Sequence, residues 1–337
     1  MVEVHHSPEQ PNRLVLWNQF IFLLTGLFTT LGNQWLHYKG AADGRSMITI
    51  LVVYLGMVAV VLLPRKADGK DIVQPVEHKG VILIAALDVF GNLVLTVGQF
   101  MVGSGLYQVI YASIVGITAV LSWGFLRRAF NPGQWAAVVV IMLGLSVSAV
   151  GSAQLPESAS DHNVMVGFGI TFLGTCIYSS VYTLNDYMLS STKRPMLPSQ
   201  QCFWVGLYSS CICLGVMIIV ALPTLRTMPL SDPGVILMYL SLIGSSLGHN
   251  VTYFQLLEST GAVATGVLQA LRAVMVFGLS HILFCKGDAA QCFTMGKGFA
   301  TAIVCAGVVG FSYAKANKAS HGFQRVRNPI QEEVELT

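Results

Sequence analysis

Two charged residues, Asp88 and Arg272, lie deep inside long apolar stretches of the sequence. A charge near the centre of a bilayer costs about 2.5–3.5 kcal/mol even on insertion scales, so such residues mark a pathway or a pair. Arg272 is suited to hold the anionic group of a small molecule, and Asp88 is suited to take a proton or a cationic group. The structural alternative is that the two pair with each other or bond backbone carbonyls and polar neighbours.

Polar side chains recur at helical spacing around both charges. One amide lies three residues before Arg272, another lies four residues after Asp88, and a glutamine and a tyrosine elsewhere are three apart. Such spacings place side chains on one face of a helix. Tyrosine rings can stack on a ligand, and Tyr178 and Tyr182 could line the same cavity. The candidate binding residues are Arg272, Gln269, Asp88, Asn92, Gln108, Tyr111 and Tyr107.

The composition indicates the environment of these residues. Of 337 residues, 10% are charged and 54% are hydrophobic, whereas about 25% of a soluble domain is charged. The net charge of +3 provides no basic field for phosphate backbones. A soluble enzyme, a disordered chain and a nucleic-acid partner are therefore excluded, and a lipid bilayer is expected as the surroundings.

Apolar runs of about 18 or more residues predict membrane helices, because the hydrocarbon core is about 30 Å thick. The sequence predicts ten spans, at 14–36, 46–63, 80–102, 105–125, 134–152, 164–184, 201–222, 233–256, 262–284 and 298–314. The third runs directly into the fourth, and Gly103-Ser104-Gly105 is the only break chemistry between them. This predicts a very tight hairpin at the membrane surface.

Lysines and arginines are distributed unequally between the two predicted sides. With a cytosolic N-terminus, thirteen lie on the cytosolic side and five on the other. Positive charges accumulate on the cytosolic side of membrane proteins. We therefore expect both termini in the cytosol, with residues 1–13 as a short N-terminal segment and 316–337 as a disordered tail.

A weak internal repeat divides the chain. Tyr107-Gln108-Val109-Ile110-Tyr111-Ala112 and Leu268-Gln269-Ala270-Leu271-Arg272-Ala273 align at an offset of 161 residues. They fall at the same place in two five-span halves, and an odd number of spans inverts the second half. We predict an all-α membrane protein with one transmembrane domain, 14–315, whose ten helices form two inverted five-helix repeats, 14–152 and 164–315.

Several short strings, in this order, carry a family resemblance. They are Leu24-Thr25-Gly26 with Gln34-Trp35, Leu87-Asp88 with Gly91, Tyr107-Gln108, Gln134-Trp135 and Leu271-Arg272-Ala273-Val274. The sequence resembles the drug/metabolite transporter superfamily, and within it solute carrier family 35 of the chloroquine-resistance-transporter-like branch. The resemblance implies ten spans as five plus five and favours an endomembrane such as lysosome, vacuole or Golgi.

One position departs from that family. Tyr111 stands where the family often has an arginine, so a second cavity cation is absent. Because of this departure, the resemblance does not determine the charge of the substrate.

The function predicted from these features is secondary transport by alternating access. The substrate is a small polar or charged organic molecule, with nucleotide sugars, amino acids, peptides and organic cations left open. No nucleotide motif is present to drive a pump, so a gradient or exchange supplies energy, and proton coupling stays open. No cofactor, metal or nucleic acid is expected, and the oligomeric state stays open.

Five glycines are expected to permit close helix packing and bending: Gly26, Gly91, Gly116, Gly174 and Gly307.

Two other functions compete with transport. Gly244-Ser245-Ser246-Leu247-Gly248 matches the G-x-S-x-G elbow of serine hydrolases, which requires a strand-to-helix turn. Small residues at this spacing also let helices approach closely, and here they lie in an apolar helix. The enzyme alternative is an intramembrane serine hydrolase around Ser246, with His249 or His281 as partner. The other alternative is a non-transporting membrane scaffold.

Two cysteines fall in one predicted loop. Cys285 and Cys292 lie on the predicted non-cytosolic side, where an oxidising lumen permits a disulfide. A disulfide and two free thiols both stay open from the sequence.

Overall fold

The computed structural model describes residues 12–42, 46–63, 76–152, 161–190, 196–225, 227–287 and 292–335, and every regular element in these ranges is a helix. Helices satisfy their own backbone hydrogen bonds, which lipid requires of any spanning segment. The main helices are α1 (Asn12–Tyr38), α2 (Ile48–Val58), α3 (His78–Ala112), α4 (Ile114–Gly124), α5 (Pro132–Ser152), α6 (Asp161–Ser190), α7 (Pro198–Val216), α8 (Pro233–Thr260), α9 (Ala262–Phe284) and α10 (Met295–Glu335).

Short turns extend two of these helices. A 3₁₀ turn, Ala59–Leu62, follows α2, and a π-helical turn, Met217–Ala221, with a four-residue helix, Leu222–Leu225, follows α7. Helices α7 and α8 each begin with a proline, whose missing N–H costs nothing at a helix start. The Asp232 side chain caps α8 by accepting a hydrogen bond from the Gly234 N–H at 2.7 Å.

The outside of the bundle is apolar and its interior is polar. Leu24, Phe90 and Leu240 are each more than half exposed, while Asp88 and Gln201 are buried. In the described ranges, seven helices are long and apolar enough to cross a bilayer, and three shorter apolar helices accompany them. This inversion of soluble-protein burial is that of a multi-pass membrane protein.

The chain reverses direction within α3, which is helical through the Gly103-Ser104-Gly105 segment where we expected a break. A Cβ built on Gly91 would lie 3.2 Å from Ile177, and the Tyr111 and Tyr178 rings are 6.0 Å apart. In a straight helix Gly91 and Tyr111 would be about 30 Å apart, yet they contact neighbouring residues of α6. The direction of the chain must therefore reverse between them. The side chains of residues 102–106 lie outside the described part, so the exact turn stays a prediction.

The helices pack in a small set of pairs. Helix α3 packs along α6, α1 along α8, and α5 along α10. Further contacts join α2 to α7 and α8, α3 to α7, α4 to α6 and α9, and α9 to α1. Helices α1, α2, α3, α6, α8 and α9 thereby surround the centre of the bundle.

Close packing at the five predicted glycines is confirmed. A Cβ added at any of them would lie between 2.6 and 3.2 Å from a neighbouring side chain. Their neighbours are Arg272 for Gly26, Ile177 for Gly91, Met142 for Gly116, Leu95 for Gly174 and Ile141 for Gly307. Each glycine thus lets another residue approach its helix axis closely.

The connection after α9 contains a disulfide between Cys285 and Cys292, whose Cα atoms are 4.6 Å apart. At the same end of the bundle, the Phe284 ring packs 5.3 Å from the Tyr38 ring, which ends α1. The backbone of α10 stays helical through Glu335. The side chains of residues 317–337 lie outside the described part, and disorder of the 316–337 tail stays a prediction.

The contact between α3 and α6 yields a stability prediction. A Cβ on Gly98 would lie 2.9 Å from the Thr171 backbone, which cannot move aside as a flexible side chain can. Gly98→Ala should therefore lower the melting temperature of the detergent-purified protein, because overpacking costs roughly 1–3 kcal/mol.

Gly244→Ala is the matched control, because nothing lies within 4 Å of its Cβ position. It should keep or raise the melting temperature, since alanine favours helix. Equal melting curves for Gly98→Ala and the wild type would contradict the close α3–α6 contact.

Candidate functional site

A cavity of about 540 Å³ lies at the centre of the bundle and extends to one end of it. His37, Tyr38 and Ala42, where α1 leads into α2, line the cavity at that end, which we call the mouth. Six of the seven predicted site residues line this cavity, and the side chain of Gln108 lies outside the described part. The six are Asp88, Asn92, Tyr107, Tyr111, Gln269 and Arg272.

Asp88 lies beside hydroxyl groups from two other helices. Its residue is 5% exposed, and its carboxylate is close to the hydroxyls of Tyr54 in α2 and Tyr178 in α6. The Asn92 amide donates to the Tyr54 hydroxyl and to the Asp88 backbone carbonyl, both at 3.0 Å. The Asp88 carboxylate therefore faces hydroxyl donors of the protein in this conformation.

The Arg272 side chain packs against Gly26 of α1, which leaves space for it. A Cβ on Gly26 would lie 2.7 Å from the Arg272 Cδ, 3.0 Å from its Nη1 and 3.0 Å from the His249 Cε1. Only glycine leaves room for the arginine side chain here. Within the described ranges, Arg272 forms no ion pair and no hydrogen bond, and its guanidinium is not within 4.0 Å of the Asp88 carboxylate. The Asp88–Arg272 pair that the sequence left open is thus not formed.

Gln269 adds a half-satisfied amide one turn before Arg272. It is 5% exposed, and its Nε2 donates to the Tyr182 hydroxyl at 2.7 Å. Its Oε1 is buried without a hydrogen-bond partner in the part of the chain that the structure describes. Among the described residues, an unpaired cation and a buried, unpaired acceptor therefore lie one turn apart on the same helix.

Tyrosine rings form a continuous wall along the cavity. The Tyr107 and Tyr111 rings are stacked with centroids 5.8 Å apart and an 11° interplanar angle. Tyr178 lies 6.0 Å from both Tyr111 and Tyr182, and Tyr253 lies 4.9 Å from Tyr182. We call these five residues the tyrosine wall. Four were predicted from the sequence to share a cavity, and their proximity is confirmed.

Sequence reasoning did not assign Tyr54, Tyr253 or His249 to the cavity, and all three line it. His249 was named only as a partner of Ser246. Each of the three lies in an apolar span, where hydropathy does not separate a cavity-facing aromatic residue from a lipid-facing one. His249 stacks on Phe22 at 4.3 Å, and its Nδ1 donates to the Phe22 carbonyl at 3.0 Å. Helical spacing gives the only available signal, because His249 and Tyr253 are four residues apart.

Ser246 does not have the environment of a hydrolase nucleophile. It is 2% exposed within α8, and its hydroxyl donates to the Val53 carbonyl at 2.9 Å and accepts from the Asn250 amide at 3.0 Å. A Cβ on Gly56 would lie 2.5 Å from the Ser246 Cβ. The small residues here bring α2 and α8 together, and the hydrolase alternative has no support.

Charged and polar groups hold the end of the bundle opposite the mouth. The Arg128 Nη2 lies 2.6 Å from the Asp186 Oδ1, and the Asp186 side chain is fully buried. The Asp186 Oδ2 also accepts from the Ala262 N–H at 3.0 Å. Lys315 of α10 donates to the Thr260 carbonyl at 3.2 Å.

These groups tie together the segment after α4, the end of α6, the α8–α9 junction and α10, and we call them the end clasp. The junction is a single residue, Gly261, with φ +85°, a conformation that suits glycine. Arg128 is one of the thirteen positive charges that the sequence assigns to the cytosolic side, and Asp186 is not singled out by the sequence. The sequence gives no signal for their contact, since 58 residues separate them.

A multi-pass helical bundle around a polar cavity is the architecture of a solute carrier. The family model of solute carrier family 35, SLC35F, matches residues 19–267. The chain belongs to solute carrier family 35 of the drug/metabolite transporter superfamily, whose members are transporters and not enzymes. The chloroquine-resistance-transporter-like branch stays a prediction.

Two individual proteins are also similar. An uncharacterised protein of Schizosaccharomyces pombe, C12G12.12, is 23% identical over 146 residues, which is 43% of this chain and 44% of that protein. A solved crystal structure superposes with a TM-score of 0.64 over 89% of this chain and 96% of its own, at 13% identity. At that identity the likeness concerns the fold alone.

The different environments of two arginines yield a labelling prediction. Arg272 faces the cavity without a partner among the described residues, whereas Arg128 is bound to Asp186. Phenylglyoxal should therefore modify Arg272 at least severalfold faster than Arg128, as measured by peptide mass spectrometry on the folded protein. Faster modification of Arg128 would contradict the clasp and the open cavity together.

Proposed function

We propose that this protein is a secondary carrier that moves a small polar or charged organic molecule through the central cavity by alternating access. The observation that carries the proposal is Arg272, a cation without a partner in the described ranges, in a cavity that reaches one end of the bundle. The other end is held shut by the end clasp. One access path open and the other closed is one of the two states that such a mechanism needs.

The proposed ten spans are supported by their agreement with the helices. The seven long helices and three shorter ones coincide one to one with the spans predicted from hydropathy. The shorter ones, Ile48–Leu62, Ile110–Gly124 and Pro132–Val147, fall in the second, fourth and fifth predicted spans. Short helices of this kind can cross where neighbours shield them or where the bilayer thins.

The proposed inverted repeat is supported by the pairing of the helices. Exchanging each helix with the one five positions along the chain converts the α1–α8 pair into α6–α3, and α2–α8 into α7–α3. It converts α4–α6 into α9–α1, and leaves α2–α7, α4–α9 and α5–α10 as they are. Such a pattern supports a two-fold relation between halves 14–152 and 164–315, and the proposed site lies at the interface of these repeats.

The proposed orientation assigns the mouth to the non-cytosolic side. The end clasp contains Arg128 and Lys315, and the excess of positive charge lies at this end of the predicted topology. The carrier in this conformation would take up or release its substrate on the lumenal or external side. An endomembrane location remains part of the proposal.

Asp88 is the proposed site of proton coupling. Its carboxylate lies in the cavity within reach of two tyrosine hydroxyls, which can rearrange when a proton binds. Asp88→Asn should then abolish the stimulation of transport by a pH gradient while leaving exchange of substrate across the membrane.

Uptake into proteoliposomes tests the transport proposal. A panel of labelled organic anions, amino acids and organic cations is offered with and without a pH gradient, and saturable uptake is expected for at least one class. Arg272→Ala should remove it, and Gly26→Ala should reduce it severalfold, because the added methyl displaces the arginine.

Gly278→Ala in α9 is the matched control, because nothing lies within 4 Å of its Cβ position. It should transport like the wild type. Full uptake in folded Arg272→Ala would refute the role of Arg272, and no uptake by folded wild-type protein would favour the scaffold alternative.

The end clasp gives a prediction about conformation. Asp186→Asn removes the carboxylate that pairs with Arg128, and breaking one partner of a buried ion pair costs about 3–5 kcal/mol. Hydrogen–deuterium exchange in peptides around Gly261 should therefore accelerate at least severalfold.

Asp232→Asn, which changes an exposed cap at the start of α8, should leave exchange around Gly261 unchanged. The same exchange rate in Asp186→Asn and the wild type would show that the clasp does not hold this end closed.

A further inference from the structure

The two charges of the cavity differ in how they are satisfied, and this difference concerns the substrate of the proposed carrier. The Asp88 carboxylate lies beside the hydroxyls of Tyr54 and Tyr178, which are hydrogen-bond donors, whereas Arg272 has no partner among the described residues. Of the two charged groups, the Arg272 guanidinium therefore needs a ligand more than the Asp88 carboxylate does. Its planar N–H groups match carboxylate and phosphate oxygens in a two-pronged hydrogen bond.

The number of cations limits the charge that the ligand carries. Arg272 is the only lysine or arginine among the lining residues that the structure describes, and Tyr111 occupies the wall beside it. The Nδ1 of His249 is already bonded to the Phe22 carbonyl. A phosphate monoester carries about −1.5 to −2 at neutral pH, and a diphosphate carries more. A single carboxylate matches one arginine best.

Gln269 specifies a second group next to that carboxylate. Gln269 lines the cavity, and its Oε1 is buried without a partner in the described ranges. Leaving a buried acceptor without a hydrogen bond costs free energy. Three residues before Arg272 on the same helix, Gln269 lies on the same face. A ligand that bonds both therefore has an N–H or O–H donor close to its carboxylate.

The tyrosine wall specifies the rest of the ligand. Aromatic rings pack on one another in stacked or edge-to-face arrangements, and the five rings of the wall run along the cavity beside Arg272 and Gln269. A cavity of about 540 Å³ lies within the usual range for small organic ligands.

We infer that the substrate is an aromatic carboxylic acid with a hydroxyl or amino group next to its carboxylate. Arg272 binds the carboxylate, the Gln269 Oε1 accepts from the neighbouring donor, and the tyrosine wall stacks on the ring. This inference rests on the proposed function, and it excludes diphosphate-linked sugars and organic cations as the main substrates.

A matched series of small molecules tests each contact separately. 3-Phenyllactate has the carboxylate, the donor and the ring, 3-phenylpropionate lacks the donor, 3-phenyllactamide lacks the carboxylate, and lactate lacks the ring. Ligand-induced shifts of the melting temperature of the detergent-purified protein give the relative affinities. 3-Phenyllactate should bind about tenfold more tightly than each of the other three.

Two variants connect the preferences to the residues. Gln269→Leu should weaken 3-phenyllactate about tenfold and leave 3-phenylpropionate unchanged, because only the former uses the Oε1. Gln99→Leu, another glutamine that lines the cavity, should keep the wild-type preference. Arg272→Gln should weaken both carboxylates by at least about tenfold.

Uptake of labelled 3-phenyllactate into proteoliposomes separates this inference from the proposed function. Binding with the predicted preferences but no uptake would overturn transport and support the ligand class. Saturable uptake of an organic cation or a diphosphate sugar, with no binding of the aromatic acids, would overturn the ligand class and support transport.

Discussion

The interior of a bilayer offers no hydrogen-bond partner, and this constraint determines the rest of the molecule. Each spanning segment satisfies its backbone as a helix, and large apolar side chains such as Leu24 and Leu240 face outward. Polar side chains can therefore lie only at the centre of the bundle or at its two ends. Burial of Asp88, Gln269 and Asp186 in one protein is therefore a consequence of the surroundings as much as of function. What distinguishes these residues is whether the fold also supplies their partners.

The presence or absence of hydrogen-bond partners distinguishes buried groups that stabilise the fold from those available to a ligand. Asp186 is bonded by Arg128 and by the Ala262 N–H, so its charge joins several helices at the clasp. Arg272 is placed just as firmly, by the gap over Gly26, but its guanidinium points to no described partner. A bilayer tolerates a charge of this kind only beside a water-filled cavity, which is why the arginine and the cavity occur together.

The helices, the apolar exterior and the two cavity charges could be predicted because lipid selects strongly for apolar composition and makes each intramembrane charge conspicuous. Six of the seven proposed site residues were recognised to line one cavity because helical spacing groups them on common faces. Asp186 could not be recognised, since it lies near the end of a span where a charge is expected to meet water. Tyr54 lies among apolar residues that look alike in sequence, and only the packing of α2 against α8 turns it inward.

The proposed repeat makes the two ends of the bundle comparable, and the contacts at equivalent places differ in kind. Exchanging the halves places the segment after α4 on the segment after α9, and the end of α6 on the end of α1. The segment after α4 meets the end of α6 through the buried Arg128–Asp186 contact. The end of α9 meets the end of α1 through the Phe284 and Tyr38 rings, beside the Cys285–Cys292 disulfide. An ion pair removed from water is costly to break singly, whereas two aromatic rings at a cavity mouth separate at little cost. The inequality favours the conformation with an open mouth and a closed clasp. In the proposed mechanism, substrate bound at Arg272 offsets this preference before the cavity opens to the other side.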